Sequence, residues 1–277
     1  MRYRSWLGLW MLILCLCAFA CAQTDPLANK DKIGSAAREE LDKGVQAYKQ
    51  ARYESAIQHF REAARLSPEF VLAHLYEATA LLQQYIPGVD TPENLKFADQ
   101  AIECYKQVLV LAPQNMGAVK GLAYINLNLK KFEEAKSYYR QASQIDPSDP
   151  ESFYSIGVAD WTQSYKRRMD ERSKRGLQTN EASSTTRPFC PKLRTDNLPL
   201  IEEGIQVLKK AIELRPQYDD AMVYLNLLFR ERAEIECNDE AERSNDESQA
   251  EEWVNRAMAA RKQKLEDAKQ HQPPQNQ

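Results

Sequence analysis

Few side chains in this 277-residue chain are of a type and spacing that do chemistry. A zinc hydrolase needs two histidines one helical turn apart with a glutamate beside the first. A phosphate-binding loop needs clustered glycines ahead of a lysine, and a serine hydrolase needs its nucleophile on a G-x-S-x-G turn. None of these patterns is present. The three histidines are far apart: His59 falls on the outer face of a helix, His74 at a packing position and His271 in a polar tail. No catalytic residue, metal ligand or cofactor is assigned. The remaining reactive groups are thiols. Cys15, Cys17 and Cys21 crowd the N-terminus, whereas Cys104, Cys190 and Cys237 are scattered. With no C-x-x-C pair, zinc and dithiol redox chemistry lack support. In an oxidising compartment Cys190 and Cys237 can pair, which would pin a proline-flanked insert to the last helical pair. Cys104 reads as a small packed or half-exposed residue.

The first residues bear on that compartment. "MRYR" carries two positive charges, and no charged residue follows from Ser5 to Thr24. A basic start, an apolar middle and small residues at the end describe a secretory leader. Three fates fit residues 1–22. Cleavage could fall after Ala20 or after Ala22. Lipid attachment at Cys21 is a second route, although "AFAC" places Ala18 and Phe19 where a lipobox has leucine and a small residue. The long apolar run also suits an uncleaved membrane anchor. In each case the basic end stays inside and the rest of the chain is exported.

Charge excludes another class. The formal net charge is −3, with lysine and arginine interleaved with carboxylates along the chain. A nucleic-acid partner needs a basic stripe, so none is expected. The densest basic run, "KRRMDERSKR", places six cations and two acids between Lys166 and Arg175. It is either a dock for an acidic partner or phospholipid surface, or a solvated helix end whose cations favour the negative terminus. The helix-end reading is the simpler one.

The elements that position these groups follow a repeat. In "YESAIQHFREAARLSP", Ala56, Phe60, Ala63 and Pro68 are separated by four, three and five residues. The same offsets recur at Ala101, Tyr105, Val108 and Pro113, at Ala135, Tyr139, Ala142 and Pro147, and at Gly204, Leu208, Ala211 and Pro216. Steps of four and three put a small, a large and a small residue on one helical stripe, against which a neighbouring helix can close. Each proline is expected to open the next helix, with Ser67 and Asp149 as N-caps.

The 34-residue interval from Pro113 to Pro147 and this stripe resemble the tetratricopeptide repeat family over roughly residues 37–235. The resemblance implies an all-α, right-handed superhelix of about five helix-turn-helix hairpins. First helices are expected near 37–50, 69–84, 115–129, 150–170 and 218–236, and second helices near 52–66, 93–111, 131–145, 198–214 and 246–268. Longer proline intervals mark insertions at 83–93 and 173–196, in the second and fourth hairpins. Pro188 and Pro191 are expected to keep the latter from being helical. Residues 23–36 read as a linker, 237–270 as a capping region of the 37–270 array, and 271–277 as a disordered tail.

In this family the first helices line a concave surface that holds a peptide or a partner helix. Projected here, that groove presents Tyr48, Leu75, Lys120, Tyr124, Leu127, Asn128, Tyr154, Val158, Trp161 and Arg230. Rings with a few polar points are typical of binding hot spots. The same residues could instead be core between hairpins, most readily Leu75 and Leu127. One subclass clamps a chaperone's C-terminal carboxylate with basic residues and asparagine. The matching positions here, Leu41, Val45, Tyr76, Gly117 and Gly121, cannot make those contacts. The resemblance thus implies a non-catalytic scaffold or adaptor in a bacterial envelope, with another protein as partner. Self-assembly into a homo-oligomer and sensing of a small envelope ligand such as a glycan fragment are the alternatives.

Overall fold

A computed structural model describes residues 33–177 and 190–270; the expected leader, residues 23–32 of the expected linker, the centre of the second expected insertion and the expected tail lie outside them. The described residues form ten α-helices and no strands. They pair as α1 (Ser35–Lys49) with α2 (Tyr53–Leu66), α3 (Val71–Gln84) with α4 (Pro92–Leu111), and α5 (Met116–Asn128) with α6 (Phe132–Ile145). The last two pairs are α7 (Pro150–Ser173) with α8 (Cys190–Leu214), and α9 (Asp219–Glu234) with α10 (Glu240–Gln270). Each hairpin packs on the next, giving an α-solenoid. Among next-nearest helices the closest contacts join first helices, α7 with α9 and α3 with α5, so the first helices form the inner row. No helix among the described residues is long and apolar enough to cross a membrane.

The repeated stripe has a counterpart on the facing helices. A Cβ on Gly44 would stand 2.5 Å from two ring carbons of Phe60, and one on Gly121 would stand 2.4 Å from Tyr105 Cζ. Gly157 meets Leu208 Cγ in the same way at 2.5 Å. The large residue of a second helix is thus seated on a glycine of a first helix, while the flanking Ala56, Ala63, Ala101, Ala135, Ala142 and Ala211 are wholly buried.

The prolines act differently from the expectation. Helices α3, α5, α7 and α9 begin three residues after Pro68, Pro113, Pro147 and Pro216. The residue before proline is pushed out of the helical region: Ser67 has φ −143° and ψ 89°, Ala112 −144° and 83°, Asp146 −131° and 94°. Ser67 therefore ends α2 and does not cap α3. A four-residue turn follows with proline second, closed by Phe70 N–H to Ser67 O at 2.9 Å, Asn115 to Ala112 at 3.0 Å, Asp149 to Asp146 at 3.2 Å and Tyr218 to Arg215 at 2.9 Å. Each turn delivers its fourth residue as the next N-cap. Asp149 is the strongest, accepting from Glu151 N–H at 3.3 Å and Ser152 N–H at 3.2 Å, with Pro150 as the first helical residue.

The second insertion is shorter than expected. Residues 190–196 are the first turns of α8, with Pro191 in the first turn, where no amide donor is needed, and Pro199 in the interior. Arg167 Nη1 donates to Asp196 O at 2.8 Å in the turn that Pro199 disturbs, and Asn197 Nδ2 donates to Ser164 O at 2.9 Å. These bonds between α7 and α8 hold the proline-containing helix in place. The capping helix α10 is also longer than expected, starting at Glu240 rather than near 246.

The apolar core runs in two main parts, one through α1–α5 and one through α8–α10, joined by the small cluster of Ala123, Tyr139 and Ile156. A buried ionic group lies at the junction. Lys136 Nζ on α6 contacts Asp160 Oδ1 on α7 at 2.7 Å and Glu203 Oε2 on α8 at 3.1 Å, and Arg140 also reaches Glu203. Burial pushes the Asp160 carboxyl up to about 7, with Lys136 offsetting part of that effect.

Candidate binding groove

The groove is built on α7 and α9. Asp149 fixes the start of α7, Gly157 seats it on Leu208 of α8, and the opposite side carries rings towards α9. Tyr154 lies 5.0 Å from Tyr218 and 5.7 Å from Tyr224, centroid to centroid. Trp161 meets Tyr224 edge-on at 5.4 Å and stacks on Tyr165 at 5.2 Å. The result is a continuous row, Tyr218–Tyr154–Tyr224–Trp161–Tyr165, which favours offset and edge-to-face geometry. Tyr154, Trp161 and Tyr224 are half-buried and Tyr165 is exposed, so the row packs the two helices together while keeping an open side.

Ion pairs hold the two helices in register. Arg168 of α7 donates from Nε and Nη2 to the two oxygens of Glu231 on α9, at 2.7 and 2.8 Å. Its guanidinium also lies 5.4 Å from the Tyr165 ring. At the other end Tyr218 Oη donates to Glu151 Oε2 at 2.6 Å. Burial raises the phenols of Tyr154, Tyr218 and Tyr224 above their ordinary range, and nearby carboxylates add to it. These rings remain neutral surfaces with hydroxyl donors.

The other projected residues are spread out. Tyr48 is half-buried against the N-terminal core and meets Tyr53 edge-on at 5.4 Å. Lys120 Nζ is 2.7 Å from Asp149 Oδ2, linking α5 to the cap of α7. Tyr124 is 43% exposed, and Asn128 Nδ2 donates back to Tyr124 O at 2.8 Å. Leu75 and Leu127 pack against core clusters. Val158 is half-buried on α7, near Tyr154 and Trp161 in sequence. Arg230 points to the cleft between α9 and α10, donating to Asn226 Oδ1 at 2.8 Å and lying 3.7 Å from Glu251. The structure thus brings Tyr154 and Trp161 together and leaves Tyr48 and Arg230 outside their row. Tyr165, Tyr218 and Tyr224 complete the row. Their signal in the sequence was the high tyrosine count, 13 in all.

The first insertion is a rigid loop from Tyr85 to Thr91. Asn94 accepts from Ile86 N–H at 2.7 Å and donates to Ile86 O and Val89 O at 2.8 and 2.7 Å, and Gly88 takes φ 81°. Ile86 and Val89 are held outward, 59% and 38% exposed. The basic run 166–175 is largely satisfied internally. Lys166 pairs with Asp170, Arg168 with Glu231, and Lys174 and Arg175 with Glu171. Cys190 and Cys237 are joined by a disulfide with Cα atoms 5.5 Å apart, tying the start of α8 to the α9–α10 connector. Among the described residues no cluster of metal-ligating side chains is present.

Comparison with known proteins agrees with this architecture. Models described as tetratricopeptide repeat match residues 41–85 and 121–149. The Hsp70-Hsp90 organizing protein of Triticum aestivum is 27% identical over 160 residues, covering 58% of this chain and 26% of that protein. Hsp70-Hsp90 organizing protein 3 of Arabidopsis thaliana is 28% identical over 115 residues, covering 42% and 19%. The chain therefore spans about a quarter or less of these relatives. Among solved structures, a MamA protein superposes with TM-score 0.58 at 13% identity, covering 87% of this chain and 98% of that one. MamA from Desulfovibrio magneticus RS-1 gives 0.57 at 17% identity, covering 83% and 98%. At such identities the likeness is one of fold.

Proposed function

We propose that this tetratricopeptide repeat protein is a scaffold that binds a partner peptide or helix along its inner row of first helices and performs no catalysis itself. The ring row across α7 and α9 carries this reading. A surface that is aromatic, half-open and braced near its two ends by the Arg168–Glu231 and Arg215–Glu151 ion pairs is a preorganised platform, which lowers the ordering cost of binding. The names of the matched relatives describe organisers of two other proteins, which supports a binding role. The clamp for a chaperone's terminal carboxylate is not part of the reading. Leu41 is buried, Tyr76 packs edge-on against Phe60, and Gly121 lies under Tyr105.

The proposed setting is an exported one, in a bacterial envelope, with the basic leader on the inner side. The Cys190–Cys237 disulfide supports export, because such bonds persist in oxidising compartments. The test is a photo-cross-linker at position 165, where the row is open, compared with position 137 on the exposed face of α6. A partner captured at 165 alone supports the groove. Equal capture at both positions, or none from folded protein, removes it. The rigid loop with outward Ile86 and Val89 favours a second reading, self-association, which light scattering across a concentration series detects.

A further inference from the structure

Carboxylates border the ring row at its N-terminal end. Arg215 shows what they do there. Its guanidinium carbon lies 4.3 Å from the centroid of Tyr218, and Nη1 donates to Glu151 Oε1 at 2.8 Å. The protein therefore already seats one cation on a tyrosine face with a carboxylate at its edge. Tyr224, next but one in the row, also meets Tyr154 and has a carboxylate, Asp220, within reach, but has no such cation. No arginine or lysine of the described residues lies over its ring. Asp220, one helical turn earlier on α9, is close enough for its charge to act on the phenols of both Tyr224 and Tyr154. Its side chain is 60% exposed, and its contact with Arg261 Nη2 is a long one at 3.3 Å, from a guanidinium that Asp219 holds at 2.7 Å.

The cations around the row are committed elsewhere. Arg215 is held by Glu151, Arg168 by Glu231 and Lys120 by Asp149. An acidic segment entering the groove would have to displace an internal carboxylate, whereas a basic one meets the exposed Asp220 beside half-buried rings. We propose that the polypeptide bound in this groove is basic, with an arginine or lysine side chain on Tyr224 and Asp220 as its counter-ion. The inference rests on the groove being the docking surface, and adds the chemistry of the occupant.

The test uses the full chain and two fluorescein-labelled dodecapeptides, one alternating glycine with arginine and one alternating glycine with glutamate, titrated by anisotropy. The arginine peptide should bind and the glutamate peptide should not. Asp220→Asn should weaken binding by about two- to fivefold, the size of a lost exposed charge contact, and Tyr224→Leu by a similar factor, the size of a lost cation–π contact. Glu252→Gln, an exposed carboxylate on α10, should leave binding unchanged and so exclude general attraction to an acidic protein. Circular dichroism melts confirm that each variant is folded. Equal binding of both peptides, no binding of either, or indifference to Asp220→Asn overturns the inference. If that happens while position 165 still captures a partner, the docking surface stands and only its charge preference falls. If position 165 captures nothing, both fall.

Discussion

Replacing Gly157 with alanine sets helix propensity against packing. The substitution gains about 1 kcal/mol in the interior of α7, because glycine is the poorest helix former after proline. The new methyl carbon would stand 2.5 Å from Leu208 Cγ and 2.8 and 3.0 Å from its two terminal carbons. The closest atom is the branch point, so turning the end of the leucine does not relieve the contact. Leu208 is also wholly buried, leaving it nowhere to move. Relief then requires α7 to shift by about 1 Å from α8, and overpacking of this kind costs up to about 3 kcal/mol. The net expectation is a loss of about 2 kcal/mol, read as a lower urea midpoint with an unchanged slope. Such a shift would press Tyr154 and Trp161 onto Tyr224, so tryptophan emission should change as well. Leu208→Ala alone should cost about 2–5 kcal/mol by opening a cavity. In the double variant the methyl at 157 enters that cavity, so the combined loss should fall short of the sum by about 1 kcal/mol. Gly117→Ala is the control, since its nearest neighbours would be 3.3 and 3.4 Å away. A Gly157→Ala protein as stable as wild type, or strict additivity with Leu208→Ala, would refute the reasoning.

Three further outcomes follow from particular contacts. The disulfide closes a 47-residue separation, so reduction or Cys190→Ala should lower the unfolding free energy by up to about 4 kcal/mol, measured by denaturation with and without reductant; no change would mean the bond is unformed. Ala51 and Lys130 take left-handed conformations, φ 57° and 59°, at the ends of α1 and α5, with the paired terminal bonds of a Schellman motif. Glycine at either site should raise stability by about 0.5–1 kcal/mol in thermal melts, where alanine to glycine elsewhere in these helices lowers it. Asp160 has a folded-state pKa of about 7, above its unfolded value, so its contribution is fully present below about pH 4 and is lost as pH rises through 7. The stability of Asp160→Asn relative to wild type should therefore increase from pH 5 to pH 8, on the order of 2 kcal/mol, and a constant difference would exclude the shift.

The regularity of the fold was legible because it is local. A small-large-small stripe with steps of four and three is a property of one helix, and the proline turn is a property of four consecutive residues. The starts of α5, α7 and α9 fall within a residue of expectation, and α3 starts two residues late without Ser67 as its cap, because proline's effect on the residue before it outweighs its tolerance in a first turn. Two of the five rings in the row were legible too, since Tyr154 and Trp161 share a face of α7. Tyr218 and Tyr224 were not, because they reach that face only after α8 has been laid between α7 and α9 across an insertion that breaks the period. Nothing in the sequence sets Lys136 apart from the other charged residues. It is buried because Asp160 and Glu203, 24 and 67 residues further on, arrive from two other helices to neutralise it.

By itself the sequence determined what depends on neighbours within a turn or two: the helical repeat, the hairpin count, the places where the period fails and the lack of any catalytic signature. Only the tertiary structure decided which rings meet, which glycine each large side chain rests on, and which charges are used up internally. The physical reason is distance along the chain. Helix periodicity is written in steps of three and four residues, whereas the surface left open for a partner depends on contacts across 60 residues or more, after packing has taken what it needs.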